Sequence, residues 1–599
     1  MAHRLRFGAT CVGLALAVAA PAAAFDSLSF DAPGAGSELR AALRGASLLV
    51  NAEREGLSDP LEVFSIARAE YGRLIGALYE AGHYSALISV RIDGREAAEI
   101  SPLAPPEVIG AIEVEITPGP VFVFGRAEIG PLAPGTELPA GFAPGRTAES
   151  ALMRDAARAA VDGWRDVGHA KAETADDRIV ADHRAEQLDA EIDIAPGPRL
   201  RFGDLSPQGQ LRTRPERIIE IAGLPTGEVY SPQAVEQAAT RLRRTGTFAS
   251  VAVREAETPN PDDTLDFSVS VVEAPPRRIG AGAEFDTEDG LRLNAFWMHR
   301  NLLGGAERFR IEGEIGGVGA RSGGIDYRLR TEFTRPATFT PDTSLSLGAV
   351  IESEDQRDFA AERARLRASI THLFSDTLTA EAGIEFQIER ARFGVNRSIR
   401  RTFGTVALPL GVIWDRRDDP LDASEGFYVE ATATPFLGIA DAGSGAQVTL
   451  DGRGYYALDA DGDIVLAGRG MLGAVIGAEI ARTPRNYLFY SGGGGTVRGQ
   501  PFESLGVTVD GVDSGGQGFA ALSGEVRARV RENVGLVGFA DAGYVSTGAF
   551  SGAADWHAGA GVGVRYDTAV GPLRLDVGLP VRGDTGRGVQ VYIGIGQAF

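Results

Sequence analysis

The sequence predicts a multi-domain chain in which three tandem α+β modules precede a 16-stranded antiparallel transmembrane β-barrel. Two patterns predict it. A unit recurs about every 78 residues as far as residue 276, and a series of short alternating strands follows. A third observation leaves the exported strands either soluble in the periplasm or in a membrane as a closed sheet. The N-terminus reads as an export signal, yet no later stretch holds about 18 consecutive apolar residues. Without a helix, a closed sheet is the only structure that pairs every backbone polar group in hydrocarbon.

Length and composition bound the reading. At roughly 100–200 residues per domain, 599 residues imply several units. The hydrophobic share of 44% belongs to a folded protein. A formal net charge of −22 argues against a nucleic-acid partner, which needs a basic surface facing phosphates. Residues 1–24 are expected to be a signal peptide that is removed. Arg4 and Arg6 form its basic region, Ala9–Ala20 its apolar region, and Ala22-Ala23-Ala24 the small residues before cleavage at Phe25. The single cysteine, Cys11, falls inside it, so the mature chain is expected to have no thiol for disulfides, zinc or catalysis.

The repeats are expected at 25–120, 121–198 and 199–276. Each closes on an alternating strand and a proline break. These are Ile112/Val114/Ile116 before Pro118-Gly119-Pro120, Leu188/Ala190/Ile192/Ile194 before Pro196-Gly197-Pro198, and Leu265/Phe267/Val269/Val271 before Pro275-Pro276. Helical stretches precede these strands. In the third unit Ser231 is a suitable N-cap and Pro232 fits the first helical position. Val235, Ala238, Ala239 and Leu242 share one face, and Gly246 ends the helix before Phe248–Val253. Gly82-His83-Tyr84 and Gly168-His169 hold the equivalent place earlier. The expected order is strand, helix, helix, strand, strand. That order and the helix–Gly–strand junction resemble the POTRA domain, a periplasmic module found in tandem before outer-membrane barrels.

From residue 277 to 599 the period becomes two. Ile384, Phe386 and Ile388 alternate with Glu385, Gln387 and Glu389; Phe309–Ile315 and Ile325–Phe333 do likewise. An apolar face toward lipid and a charged face toward a wet lumen accounts for this. With the N-terminal arm in the periplasm, Asp459–Asp463 is a periplasmic turn. The longest gap, about 482–517, falls outside after the eleventh strand, and long outer loops with short inner turns are expected throughout. At the end, Val589, Val591, Ile593, Ile595 and Phe599 alternate with Tyr592, Gly594, Gly596 and Ala598. This resembles the C-terminal β-signal of outer-membrane barrels.

In the long loop stands Thr496-Val497-Arg498-Gly499-Gln500-Pro501-Phe502-Glu503-Ser504-Leu505-Gly506. It resembles the V-R-G-F/Y signature of the BamA/TamA family of barrel-assembly proteins, with the R-G-x-x-x-x-S-L-G form of the TamA branch. The resemblance implies a loop that folds back into the barrel, its Arg498 paired with acids on the inner wall; Glu525 and Asp541 are the matching candidates. Gln500 stands where the family usually has an aromatic, and Phe502 is expected to take over that packing. Asp415–Asp422 with Gly426 resembles the family's D-x-R-D-x-P-L turn, though Asp and Pro favour a turn there in any case. Val570–Val577 and Tyr592–Gly596 resemble the C-terminal strands of the TamA branch.

The resemblance implies a factor that folds or inserts other outer-membrane proteins, chiefly autotransporter-like barrels. Its implied partners are a TamB-like protein anchored in the inner membrane, unfolded outer-membrane clients and outer-membrane lipid. A seam between the first strand, near Arg278–Asp286, and the last, weakened by Gly594 and Gly596, would let a client strand add. The rivals are a two-partner secretion transporter, which usually carries two POTRA units, and a passive porin or receptor. An enzyme is not expected. Gly511–Gly516 has no triad partners, Gly492–Gly495 no following helix, and Asp459/Asp461/Asp463 no distal Glu. No motif implies a cofactor or metal.

Overall fold

The computed structural model describes residues 27–599 except 58, 287–289, 320–323, 357–358, 395, 460–461, 510, 570 and 587. The expected signal peptide with Cys11, and Asp461 of the Asp459–Asp463 turn, lie outside the described residues. The chain forms two compact units. One comprises residues up to 203 with 226–233 and 258–265; the other comprises 204–225, 234–257 and 266–599.

The first unit contains two small sheets. The first is ordered Ser27–Asp31, Ala111–Thr117, Leu87–Ile92, Arg95–Glu96, with its first two strands parallel. Ile112, Val114 and Ile116 point into a core with Leu43, Leu49, Phe64, Leu74 and Leu78, while Glu113 and Glu115 face water. The long helix Pro60–Glu80 begins where Asp59 caps Leu61 N at 3.0 Å with Pro60 at the first position. Gly82, at φ +80°, supplies the left-handed residue of the helix–Gly–strand junction.

The second sheet is ordered Val123–Gly130, Gln187–Ala195, Glu173–Asp182, with helix Ser150–Asp166 packed on it. Here the expected two helices are corrected to one. Residues 131–149 form turns and bends, because Pro131, Pro134, Pro139 and Pro144 each remove a backbone donor along the stretch. A third small sheet is ordered Arg201–Gln208, Thr264–Glu273, Phe248–Glu255, with helices Pro215–Ala222 and Pro232–Arg244.

Among the described residues, the remaining strands other than the hairpin Val507–Val509 with Val512–Ser514 build one antiparallel sheet of 17 segments. Ile399–Ala407 and Leu410–Asp415 both pair with Leu378–Phe393 on one side and Gly426–Ala440 on the other. They are two halves of one strand interrupted at Leu408-Pro409, where the proline has no N–H for the ladder. The sheet therefore has 16 strands, the count the alternation predicts. In the seventh strand, Leu378–Phe393, Ile384, Phe386 and Ile388 are 39–50% exposed, whereas Glu385, Gln387 and Glu389 are at most 6% exposed. The apolar row thus faces out and the polar row in. Several of the inward charges are paired. Arg328 Nε lies 2.9 Å from Glu352, and Arg363 joins Glu352 to Glu389, with its Nε 2.6 Å from the latter. Phe374, Trp414, Tyr456 and Tyr566 stand exposed near the end where the chain enters the sheet, as an aromatic girdle requires.

Two expectations about the strand ends are corrected. The outer segment 477–517 is long, but the outer links 441–444 and 549–550 are shorter than the inner turns 300–307, 336–342 and 416–425. Two of these inner turns are long because they carry contacts. Gly304 O accepts from Arg214 N, and Pro336 O and Ala337 O accept from Arg217. Asp342 pairs with Arg241 at 2.6 Å and with Arg244 at 3.2 Å. The second correction concerns Phe599. The last strand ends at Ile595, Gly596 turns at φ +86°, and Phe599 is buried against Ala423, Tyr455 and Ala467 instead of extending the outward row.

Candidate functional site

The eleventh strand, Ile464–Ile476, leads into residues 477–517, and the twelfth, Gly518–Arg531, follows them. The intervening loop is folded, not loose. Ser491 and Leu505 exchange backbone hydrogen bonds at 2.9 Å, and Val507–Val509 pairs with Val512–Ser514. Val497 is fully buried.

Arg498 sits among three carboxylates from three strands. Its Nε and Nη2 donate to Asp541 Oδ2 and Oδ1 at 2.8 and 2.9 Å, a two-point fork, and its backbone N–H adds a third bond to Asp541 at 3.0 Å. Its Nη1 donates to Glu525 at 2.5 Å and to Asp576 at 3.3 Å. The guanidinium also lies 3.7 Å from the centre of the Phe539 ring. All four charged groups are at most 4% exposed. Only a guanidinium offers enough planar donors to serve three acids at once. Asp541 lies on the thirteenth strand, Val534–Gly548, and Asp576 on the fifteenth, Leu573–Arg582.

Glycine on the wall makes room for this approach. On the fourteenth strand, Ser551–Tyr566, Gly559 pairs with Asp541, and a Cβ there would lie 1.9 Å from the Arg498 carbonyl oxygen. Next in the loop, Gly499 (φ +91°) donates its N–H to Tyr592 Oη at 3.0 Å.

Gln500, not Phe502, fills the buried position after Gly499. Gln500 is fully buried, and its amide donates to Ala558 O and Arg582 O, each at 2.9 Å, while accepting from Thr585. Phe502 is 68% exposed, which corrects the expectation that it packs in place of an aromatic at 500. The site holds a cradle of main-chain acceptors, which an amide satisfies and a phenyl ring would leave unpaired.

Two further chains of bonds radiate from the acids. Glu525 binds Arg527 Nε at 2.8 Å, and Arg527 donates to Phe599 O at 3.2 Å and to Ala423 O at 3.3 Å. Asp576 binds Arg565 at 2.5 Å, Arg565 Nε donates to Gln597 at 2.7 Å, and Gln597 donates to Asp422 at 2.9 Å. The loop motif, the Asp415–Asp422 turn and the residues after the last strand are therefore one network. Asp576, Arg527 and Arg565 were not singled out from the sequence. Parity could have found Arg527, two residues from Glu525 on the same face, and Asp576 stands within the Val570–Val577 segment that carries the family resemblance. Of the last-strand residues, Ile593 and Ile595 are exposed, Gly594 backs onto Arg574, and Gly596 donates to Pro572 O at 2.8 Å.

The geometry defines a transmembrane β-barrel whose lumen is occupied by an inner loop pinned through a buried arginine. A model of the Omp85 superfamily domain matches residues 301–599, and a POTRA model, described as surface antigen variable number repeat, matches residues 200–274. Among solved structures, BamA from Haemophilus ducreyi lacking POTRA domains 1–3 is 17% identical with a TM-score of 0.63, covering 79% of this chain and 99% of its own. CdiB from Escherichia coli is 12% identical with a TM-score of 0.48, covering 79% of this chain and 90% of its own. Residues 301–599 belong to the Omp85 superfamily. The chain is an outer-membrane barrel with its POTRA region in the periplasm.

Proposed function

We propose that the protein is a TamA-type assembly factor that folds or inserts outer-membrane proteins, autotransporter-like barrels among them, by adding a client strand at a seam in its own sheet. The observation that carries this reading is the state of the two sheet ends. The first barrel strand, Arg277–Asp286, pairs with the second, Gly290–His299, and the last, Gln590–Ile595, pairs with the fifteenth. Among the described residues no ladder joins the first strand to the last. The last strand contributes only six paired residues before Gly596 turns the chain away. An unpaired edge is a template for another strand, because its free N–H and C=O groups gain partners. The pinned loop and its network end on Gln597 and Phe599, immediately after that edge, and so can hold it in place. The periplasmic modules would receive unfolded clients and a TamB-like partner anchored in the inner membrane.

Reconstitution tests the proposal. The purified protein in liposomes receives an unfolded autotransporter barrel, and the client's protease-protected, heat-modifiable form is followed over time. Folding faster than in liposomes carrying an unrelated porin supports an assembly factor. A rate equal to the porin control, together with ion conductance, points instead to a channel.

A further inference from the structure

We propose that the outer wall of the barrel binds a phosphorylated glycolipid of the outer leaflet, with an acyl chain in a groove across strands two to seven and its phosphate on an arginine cluster at the groove's extracellular end. The groove has a volume of about 960 Å³. Its floor is one lateral row of cross-strand partners, Ala295, Gly313, Leu329, Ile351, Ala364 and Ile388, all outward-facing by register. Alanine or glycine at three of these six places lowers the floor, and a Cβ at Gly313 would meet nothing within 4 Å. The neighbouring row toward the extracellular side runs through Tyr327 and ends at Glu362 opposite Arg390. An apolar trough on a lipid-facing wall fits a hydrocarbon chain.

The charges decide what kind of lipid. One step further out, Arg392 stands directly opposite Arg400, on the same outward face as Arg390. Two like charges in direct register cost stability unless something neutralises them. Glu362 can balance only Arg390. The other cross-strand partner of Arg392 is Ala360, and Arg390, Arg392 and Arg400 form no ion pair among the described residues. All three are exposed. On a chain of net charge −22, an exposed pair of guanidinium groups beside an apolar groove is complementary to phosphate carried on acyl chains. These residues lie toward the end of the sheet opposite to the one where the chain enters it at Arg277, which selects the outer leaflet.

The test uses the full-length protein in detergent micelles, with lipid retention measured by native mass spectrometry. The probes are bisphosphorylated lipid A, its dephosphorylated form and phosphatidylglycerol. Arg392→Gln/Arg400→Gln is expected to weaken lipid A retention about thirty-fold, the worth of two guanidinium contacts. Gly313→Leu fills the groove without touching the arginines and is expected to weaken it several-fold. Heat-modifiability confirms that each variant barrel is folded. Equal retention by wild type and both variants overturns the proposal, as does equal retention of the dephosphorylated lipid. Phosphatidylglycerol held as tightly as lipid A overturns the assignment to the outer-leaflet glycolipid.

Discussion

Arg498→Ala is the perturbation whose consequences the structure specifies most fully. The substitution removes a guanidinium from three buried carboxylates, but they do not suffer equally. Glu525 keeps Arg527 at 2.8 Å and Asp576 keeps Arg565 at 2.5 Å. Asp541 forms its ion pair with Arg498 alone among the described residues, so it becomes an uncompensated buried charge. Breaking a buried pair from one side costs about 3–5 kcal/mol. The double variant Arg498→Ala/Asp541→Ala should recover part of that, giving a coupling of about 0.5–3 kcal/mol. Arg498→Lys should fall between, because one ammonium cannot fork onto Asp541 and also reach Glu525. The assay is urea unfolding in lipid vesicles, followed by the heat-modifiable band, beside limited proteolysis of residues 477–517. The expected result is a destabilised barrel and a newly cleavable loop. A change below about 1 kcal/mol with an unaltered digestion pattern would refute the claim that this arginine pins the loop.

Three further outcomes are expected. Gly559→Ala places a Cβ 1.9 Å from the Arg498 carbonyl oxygen and should release the loop as Arg498→Ala does. Gly538→Ala, where a Cβ meets nothing, should leave the digestion pattern unchanged. Partial burial pulls the Asp342 carboxyl up, but the hydrogen bonds and charges of Arg241 and Arg244 hold it below its ordinary 3.8. Its contribution is therefore fully present above pH 3.8 and lost as the pH falls through the lowered value. Hydrogen exchange in turn 336–342 should rise at that acid end, and Arg241→Ala should raise it already at neutral pH. Burial likewise opposes ionisation of Glu273, yet bonds from Arg212, Thr213 and Leu211 keep its carboxyl low. Because Oε1 alone accepts all of these, Glu273→Ala should cost about 1–3 kcal/mol in chemical denaturation. A loss too small to measure would show that water replaces it.

Much of the architecture was legible because period-two patterning reports directly which face of a strand is buried. The alternation of Ile384–Glu389 places each side chain on the side where the structure has it. What stayed hidden depended on contacts distant in sequence. Helix patterning gave no warning that residues 131–149 would lack a helix, although four prolines there did. Alternation carried Phe599 outward, because a period cannot register the left-handed turn at Gly596. At the inner loop, the family motif brought Arg498, Glu525 and Asp541 together, but Asp576 emerged only once the fifteenth strand lay beside the loop. Gln500 shows the same limit. A residue that departs from a motif can be read only against the acceptors it meets, here Ala558 O and Arg582 O.

The central claim, that clients add at the edge between the first and last strands, is tested most directly by closing that edge. The only cysteine of the chain is Cys11, within the expected signal peptide, so a cysteine pair placed across the two strands has no competitor in residues 25–599. The measurement is client folding in liposomes with the pair oxidised and then reduced. The account predicts that oxidation abolishes client assembly while the barrel stays folded, and that reductant restores it. Assembly at the uncrosslinked rate with the seam fully oxidised would contradict it.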